Sequence, residues 1–122
     1  MRVLIVEDEP ITLGAIKLIV ESAGHQAILA EKSEDGLALA KSELPEVALV
    51  DIKMRESAFD GLELIRRLRA DPATEDTVII AHTASVSPPS IAAAMQAGAD
   101  DVLRKPFRQA ELIDIIKRNL AK

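Results

Sequence analysis

The chain has 122 residues, of which 48% are hydrophobic and 29% are charged, and its formal net charge is −5. This size and composition are typical of one globular domain, and the acidic balance disfavours nucleic-acid binding, which needs a basic surface. The absence of cysteine excludes disulfides and thiolate metal sites, and two histidines are too few for a histidine-built zinc centre. The apolar run at residues 3–6 is too short for a signal peptide or a membrane span. We therefore predict a cytoplasmic domain over residues 1–122 that contacts no membrane.

Five short apolar segments are predicted to be strands. Most of them are continuous apolar runs, which are typical of parallel strands buried on both faces of a sheet. They alternate with segments of helical spacing, and this alternation predicts an α/β fold with a doubly wound, five-stranded parallel sheet and helices on both faces. The predicted strands are residues 3–6, 27–30, 47–50, 78–81 and 102–103.

Helix signals lie between these strands. Pro10 suits the first turn of a helix that Gly24 ends, and Ser33 is predicted to cap a second helix that runs to about residue 43. In the last helix we predict that Asp114 and Arg118 pair at i,i+4 spacing. The three later helices are indicated by an apolar stripe at Leu62, Ile65 and Leu68, by the segment from Ser87 to Gly98, and by a stripe at Leu112, Ile116 and Leu120.

Polar side chains follow four of the five strands at their carboxyl ends. Glu7 and Asp8 follow the first strand, Asp51 the third, Thr83 the fourth and Lys105 the fifth. Because ligands of open parallel sheets bind outside the carboxyl ends of the strands, we expect these side chains to share one site.

The chemistry of this set points to phosphoryl transfer. Three carboxylates at one edge repel each other unless a hard divalent cation lies among them, and Mg²⁺ binds carboxylates, waters and phosphate oxygens. A carboxylate can itself accept a phosphoryl group, and the oxygens of that group need neutralising charge. Mg²⁺, Lys105 and the Thr83 hydroxyl are suited to that task. The residues therefore predict transfer of a phosphoryl group to an aspartate.

The ordered motifs resemble those of the response regulator receiver domain, the CheY-like family, over essentially the whole chain. The acidic pair follows strand one, Asp51 is followed three residues later by Met54, and the last strand is followed by Lys105-Pro106-Phe107. The remaining pieces of the resemblance are Asp60-Gly61, Thr83-Ala84 and Gly98-Ala99-Asp100-Asp101.

The resemblance implies a role for each residue of the set. The family's strand order is 2-1-3-4-5, and its phosphoacceptor corresponds to Asp51, with Thr83 and Lys105 as the catalytic residues that bind the phosphoryl oxygens. The bond between Lys105 and Pro106 is expected to be cis. The implied Mg²⁺ ligands are Glu7, Asp8, Asp51 and the backbone carbonyl of Lys53.

The resemblance also implies partners. We expect a stand-alone response regulator of a two-component phosphorelay, which takes its phosphoryl group from a sensor histidine kinase or a phosphotransfer protein. It is expected to signal by protein contact, as a monomer, to a target that the sequence does not identify. It is not expected to be an enzyme beyond catalysing its own phosphorylation and dephosphorylation.

The sequence departs from the family pattern at four places. Arg55 replaces the usual Pro, two extra residues lengthen the loop that carries Phe59, and Val102 replaces the aromatic residue that couples to the Thr. Lys53 lies near the expected path of attacking water. Phe59 is predicted either to anchor the longer loop or to contact a partner. His82 is interpreted either as a half-buried strand residue or as a reporter of the state of Thr83.

Each site residue also has a plain structural alternative. The acidic pair can favour the start of the first helix through its dipole, Asp51 and Thr83 can cap turns, and Lys105 can be a solvated lysine. For the whole chain, the alternative is a phosphorylation-independent pseudo-receiver that acts as an interaction module. A flavodoxin-like binder is disfavoured because residues 7–9 are acidic, and an aspartyl-phosphate phosphatase because Lys53 occupies the place of its second Asp.

Overall fold

The computed structural model describes residues 1–121 and has five strands that alternate with five helices. The strands form one parallel sheet in the order β2-β1-β3-β4-β5, so the predicted fold class and strand order are confirmed. The strands are β1 (Arg2–Val6), β2 (Gln26–Ala30), β3 (Val47–Asp51), β4 (Val78–Thr83) and β5 (Asp101–Arg104). The helices are α1 (Pro10–Ser22), α2 (Ser33–Glu43), α3 (Gly61–Ala70), α4 (Pro88–Ala97) and α5 (Gln109–Leu120).

The sheet is covered on both faces, which explains its continuous apolar strands. Alternate residues of β1 enter two separate hydrophobic clusters, Leu4 and Val6 on one face and Val3 and Ile5 on the other. The first cluster contains buried residues of α2, α3 and α4, and the second contains buried residues of α1 and α5. A strand with apolar residues at every position therefore buries all of them.

Two predicted local contacts are wrong. Ser33 does not cap α2: it is the first helical residue, and its own backbone N–H donates to Oγ of Ser57 at 2.9 Å. Capping therefore comes from the loop between β3 and α3, which lies against this helix end. Arg118 does not pair with Asp114 but bonds to Oδ2 of Asp101 at 2.7 Å, because α5 packs along β5.

None of the helices within residues 1–121 is long and apolar enough to cross a membrane. Strand order reverses between β1 and β3, since the chain after β1 first builds β2 on one side and then β3 on the other. In a sheet of this kind the reversal opens a crevice at the carboxyl edge, beside β1 and β3. The polar residues singled out in the sequence lie around that crevice.

Candidate functional site: an acidic cleft at the strand ends

The predicted site residues lie in one cleft at the carboxyl edge of the sheet. Its volume is about 460 Å³. The cleft also contains side chains of the loop after β3. Among its lining residues are all those predicted for the site, namely Glu7, Asp8, Asp51, Lys53, Thr83 and Lys105.

Three of the strands place adjacent polar residues in a row. Ile5 and Val6 of β1 pair with Leu49 and Val50 of β3, so Glu7, just after β1, comes beside Asp51. Asp51 in turn pairs with His82 of β4. One ligand atom from each of Glu7, Asp51 and His82 lies within 4.8 Å of the others. Sheet register thus brings together two residues of the predicted site and one histidine that the prediction left outside it.

Lys105 lies between the two buried carboxylates. Its Nζ donates to Oε1 of Glu7 at 2.8 Å and lies 3.5 Å from Oδ2 of Asp51. Burial alone opposes the charge of Lys105, but the hydrogen bond to Glu7 and the charge of Asp51 outweigh it and raise the pKa of the ammonium group. Lys105 therefore carries a fixed positive charge next to Asp51. The preceding strand ends at Arg104, and the Lys105–Pro106 bond is cis, as predicted.

Asp51 is the most perturbed carboxyl group of the cleft. It is 4% exposed. Burial, and after it the negative charge of Glu7, raises the pKa of Asp51 from 3.8 to about 7, although Lys105 acts in the opposite direction. Because burial disfavours its charged form, Asp51 would be stabilised as a carboxylate by a cation bound beside it, and carboxyl groups perturbed in this way cluster at functional sites.

Backbone N–H groups hold the acidic side chains in place. The N–H of Glu9 donates to Oε2 of Glu7 at 3.1 Å, and that of Lys53 donates to Oδ1 of Asp51 at 3.3 Å. The N–H of Arg55 donates to Oδ2 of Asp8 at 3.1 Å. The loop after β3 therefore holds both Asp51, at the end of β3, and Asp8, which follows β1. Arg55, which replaces the family's usual Pro, supplies the backbone N–H that binds Asp8. A Pro at that position would have no N–H to give.

Thr83 closes the cleft on the β4 side. It is 3% exposed, and its Oγ1 accepts the backbone N–H of Ser85 at 3.2 Å. With this bond accepted, the hydroxyl proton is still available as a donor. The backbone carbonyl of Thr83 accepts the N–H of Lys105 at 2.9 Å, so the two residues are linked directly.

The lengthened loop between β3 and α3 is held by contacts with both α3 and α2. The side chain of Phe59 is half-buried against the first hydrophobic cluster, and the guanidinium of Arg67 lies 3.9 Å from its ring centroid. Oε1 of Glu34 accepts the N–H of Ala58 at 3.1 Å. Of the two predicted roles of Phe59, the structure supports the loop anchor.

His82 is more buried than the sequence indicated, with 0% exposure. Its Nδ1 lies 3.8 Å from Oε1 of Glu7, and its ring packs edge-on against Phe107. Burial and the positive charge of Lys105 lower the pKa of His82 to about 3, while the Val6 carbonyl acts weakly in the other direction. The burial of His82 could have been predicted from alternation along β4, because residues two apart on a strand share a face and Ile80 belongs to the second hydrophobic cluster.

Comparison with known proteins agrees with this geometry. The family model of the response regulator receiver domain matches residues 3–117. Protein PilH of Pseudomonas aeruginosa is 34% identical over 120 residues, and the match covers 98% of each chain. A putative response regulator from Chloroflexus aurantiacus has a TM-score of 0.91 at 30% identity and covers 99% of this chain, which spans 98% of that one.

A second solved structure bears on the acidic cleft. The receiver domain of the sensor histidine kinase PA1611 from Pseudomonas aeruginosa has a TM-score of 0.90 at 29% identity, with 99% of this chain and 98% of that one covered. That protein has a magnesium ion coordinated in its active-site cleft.

The chain therefore belongs to the response regulator receiver domain family, as its motifs predicted. Members of this family are signalling switches of two-component phosphorelays, and this chain is a receiver of that class. Receivers generally bind Mg²⁺ and interact with histidine kinases or phosphotransfer proteins.

Proposed function

We propose that this receiver accepts one phosphoryl group on Asp51 in a Mg²⁺-dependent reaction. The observation that carries the proposal is the position of Asp51: it is buried, in a cleft with Glu7 and Asp8, with Lys105 Nζ 3.5 Å from its carboxylate. Thr83 lies in the same cleft. The proposed nucleophile Asp51, the cationic Lys105 and the hydroxyl donor Thr83 therefore line the same cleft.

The donor set fits Mg²⁺. It consists of hard oxygen ligands, the class that Mg²⁺ prefers. We propose that Glu7, Asp8, Asp51 and the carbonyl of Lys53 hold the ion, directly or through water. When bound, Mg²⁺ would neutralise charge on the phosphoryl oxygens.

The protein's own residues account for the other steps. A carboxylate oxygen of Asp51 attacks the phosphorus of a phosphohistidine, forming a P–O bond while the P–N bond breaks, and the leaving imidazole nitrogen takes a proton from water. Lys105 turns from Glu7 towards the transferred group, and the Thr83 hydroxyl donates to another of its oxygens. These contacts accelerate the transfer to the extent that they are stronger with the phosphoryl group in the transition state than with the bound donor.

The same contacts supply the switch. Phosphoryl binding by Thr83 and Lys105 would shift the conformation of the segments that follow β4 and β5. Because Val102 replaces the aromatic residue that usually couples to the Thr, we expect part of the conformational change to occur in the loop around Phe59. We propose that residues 1–122 form one receiver domain, monomeric and cytoplasmic. Its partners would be a histidine kinase or phosphotransfer protein and a protein target, without nucleic acid or membrane. Its only catalysis would be its own phosphorylation and dephosphorylation.

The test is intact-protein mass after incubation with acetyl phosphate, with and without Mg²⁺. We expect a gain of one phosphoryl group in the unaltered chain with Mg²⁺, and none with EDTA or in Asp51→Asn. Asp60→Asn is the matched control, because Asp60 caps α3 in the same loop region through a 2.8 Å bond to Glu63 N–H. No gain under any condition, repeated with a phosphorylated histidine donor, would favour the pseudo-receiver instead.

A further inference from the structure

The imidazole of His82 is a buried polar group without a clear role. Within residues 1–121, neither of its ring nitrogens has a hydrogen-bond partner of acceptable geometry, although both are buried. Buried polar atoms are almost always satisfied, so an exception needs an explanation. The phosphorylation chemistry proposed for the cleft makes no use of this ring.

The ring nitrogen faces the carboxylates of the cleft. Nδ1 lies 3.8 Å from Oε1 of Glu7, too far for a hydrogen bond, and one ligand atom from each of Glu7, Asp51 and His82 lies within 4.8 Å of the others. Two ligand atoms that share a tetrahedral Zn²⁺ at about 2.1 Å stand roughly 3.4 Å apart. The observed spacing therefore needs only rotation of the carboxylates and a small contraction to surround one ion.

We propose that Glu7, Asp51 and His82 form a second cation site within the cleft, selective for nitrogen-binding divalent ions of the Zn²⁺, Co²⁺ and Ni²⁺ class. Imidazole suits these ions, whereas Mg²⁺ favours oxygen ligands and octahedral geometry. Two carboxylates and one imidazole leave a fourth position for water, as in other open zinc sites. The expected Mg²⁺ ligands Asp8 and the Lys53 carbonyl take no part in this second site.

The surroundings of His82 favour the proposal. Its ring is fully buried and neither ring nitrogen is committed to a hydrogen bond, so a nitrogen lone pair is available to a metal. The ion would displace the Lys105 ammonium from Glu7, so that a charge of +2 would replace a charge of +1 beside this carboxylate. Cysteine is absent from the chain, so no thiolate competes for such ions. The other histidine, His25, does not line the cleft, and its Nδ1 lies 3.2 Å from the N-terminal amine. It therefore serves as the control for binding outside the proposed site.

The two cation sites share Glu7 and Asp51, and so they exclude each other. If Asp51 is the phosphoacceptor, a zinc-class ion held by His82 would withdraw it from phosphorylation. This consequence rests on the proposed function. The binding itself does not, and it is tested first without any phosphoryl donor.

The deciding experiment is a Zn²⁺ titration of the metal-free chain followed by long-range ¹H–¹⁵N correlation of the two imidazole rings. We expect a ring nitrogen of His82 to shift and to saturate at one equivalent. A titration in which only His25 shifts, or in which neither ring responds, overturns the proposal. Because the unaltered chain is used, this result does not depend on any variant folding.

Affinities then check selectivity. In His82→Leu we expect the Zn²⁺ Kd to rise by at least about 10-fold, the low end of what loss of even an outer-shell partner costs. In His25→Gln the Kd should not change. The Mg²⁺ Kd should be the same in all three proteins. Equal Zn²⁺ binding by His82→Leu and the unaltered chain would contradict the site.

Discussion

The ammonium nitrogen of Lys105 lies closer to Glu7, at 2.8 Å, than to Asp51, at 3.5 Å. In the resting receiver, Lys105 thus neutralises Glu7 as well as the acceptor Asp51. A phosphoryl group on Asp51 would present new anionic oxygens and draw the ammonium across the cleft.

The first prediction concerns this lysine. Lys105→Met keeps the length of the side chain but removes the charge that stabilises the transferring group, and phosphorylation by acetyl phosphate should slow by about 100-fold. Rates measured by intact-protein mass test this. The exposed Lys117→Met is the control and should react like the unaltered chain. Equal rates for both variants would exclude Lys105 from the reaction.

A second prediction concerns the pH dependence of stability in metal-free buffer. The pKa of Asp51 is raised from 3.8 to about 7 by burial and by Glu7, so the folded state binds this proton more tightly than the unfolded state. Its stabilising contribution is therefore complete below about pH 4 and is lost as the pH rises through about 7. Asp51→Asn removes the buried charge. At pH 8 it should raise the free energy of unfolding by on the order of 2 kcal/mol, and by much less at pH 4.

Urea unfolding at the two pH values, with EDTA present, measures this difference. The control is Asp114→Asn, since Asp114 is an exposed carboxyl group on α5. An Asp51→Asn effect of the same size at pH 4 and pH 8 would show that the charge of Asp51 is not its cause.

A third prediction concerns Gly61, where the loop meets β3. A Cβ at this position would lie 1.9 Å from the backbone carbonyl oxygen of Asp51, so Gly61→Ala must displace the backbone of the acceptor. We expect a loss of about 3 kcal/mol in the free energy of unfolding, together with slower phosphorylation. Gly14→Ala is the matched control: it lies inside α1, and apart from its chain neighbours and the nearby backbone of its own helix, no atom of residues 1–121 lies within 4 Å of the added Cβ. It should gain roughly 0.5–1 kcal/mol.

Chemical denaturation of the two glycine variants measures both changes in the free energy of unfolding. Similar stability for Gly61→Ala and Gly14→Ala would mean that the loop can move away from Asp51 at little cost, against the close packing described above.

A fourth prediction tests the anchor of the longer loop. Arg67 lies over the ring of Phe59, and a double-mutant cycle of Phe59→Leu with Arg67→Gln should give a coupling of about 0.5–1 kcal/mol. Arg66 binds the same carboxylate, Glu63, as Arg67 does, so Phe59→Leu with Arg66→Gln is the matched cycle. Its coupling should be near zero. Equal coupling in both cycles would assign the effect to Glu63 instead.

The sequence predicted the sheet because its strands are continuous apolar runs between helical segments, and both faces of the sheet are in fact buried. It also predicted which residues share the cleft, since the ends of parallel strands necessarily meet at one edge. Glu7, Asp51, Thr83 and Lys105 are all brought together there. Their chemical roles stay predictions.

Other features depend on distances that a linear pattern does not contain. The row from Glu7 to His82 depends on sheet register, and the contact of Ser57 with Ser33 depends on how the longer loop folds back. Arg118 has acidic residues at two candidate positions, and only the packing of α5 on β5 favours Asp101. Local spacing alone therefore gave the wrong partner.

Asp51 is the residue on which we propose that the phosphoryl group is carried. The most direct measurement is borohydride reduction of the acetyl-phosphate-treated chain, which converts an acyl phosphate into an alcohol, followed by peptide mass mapping. We predict homoserine at position 51 in samples that contained Mg²⁺ and none in samples with EDTA. Reduction at Asp8, Asp60 or any other carboxyl group, or homoserine at position 51 without Mg²⁺, would exclude Asp51 as the Mg²⁺-dependent acceptor.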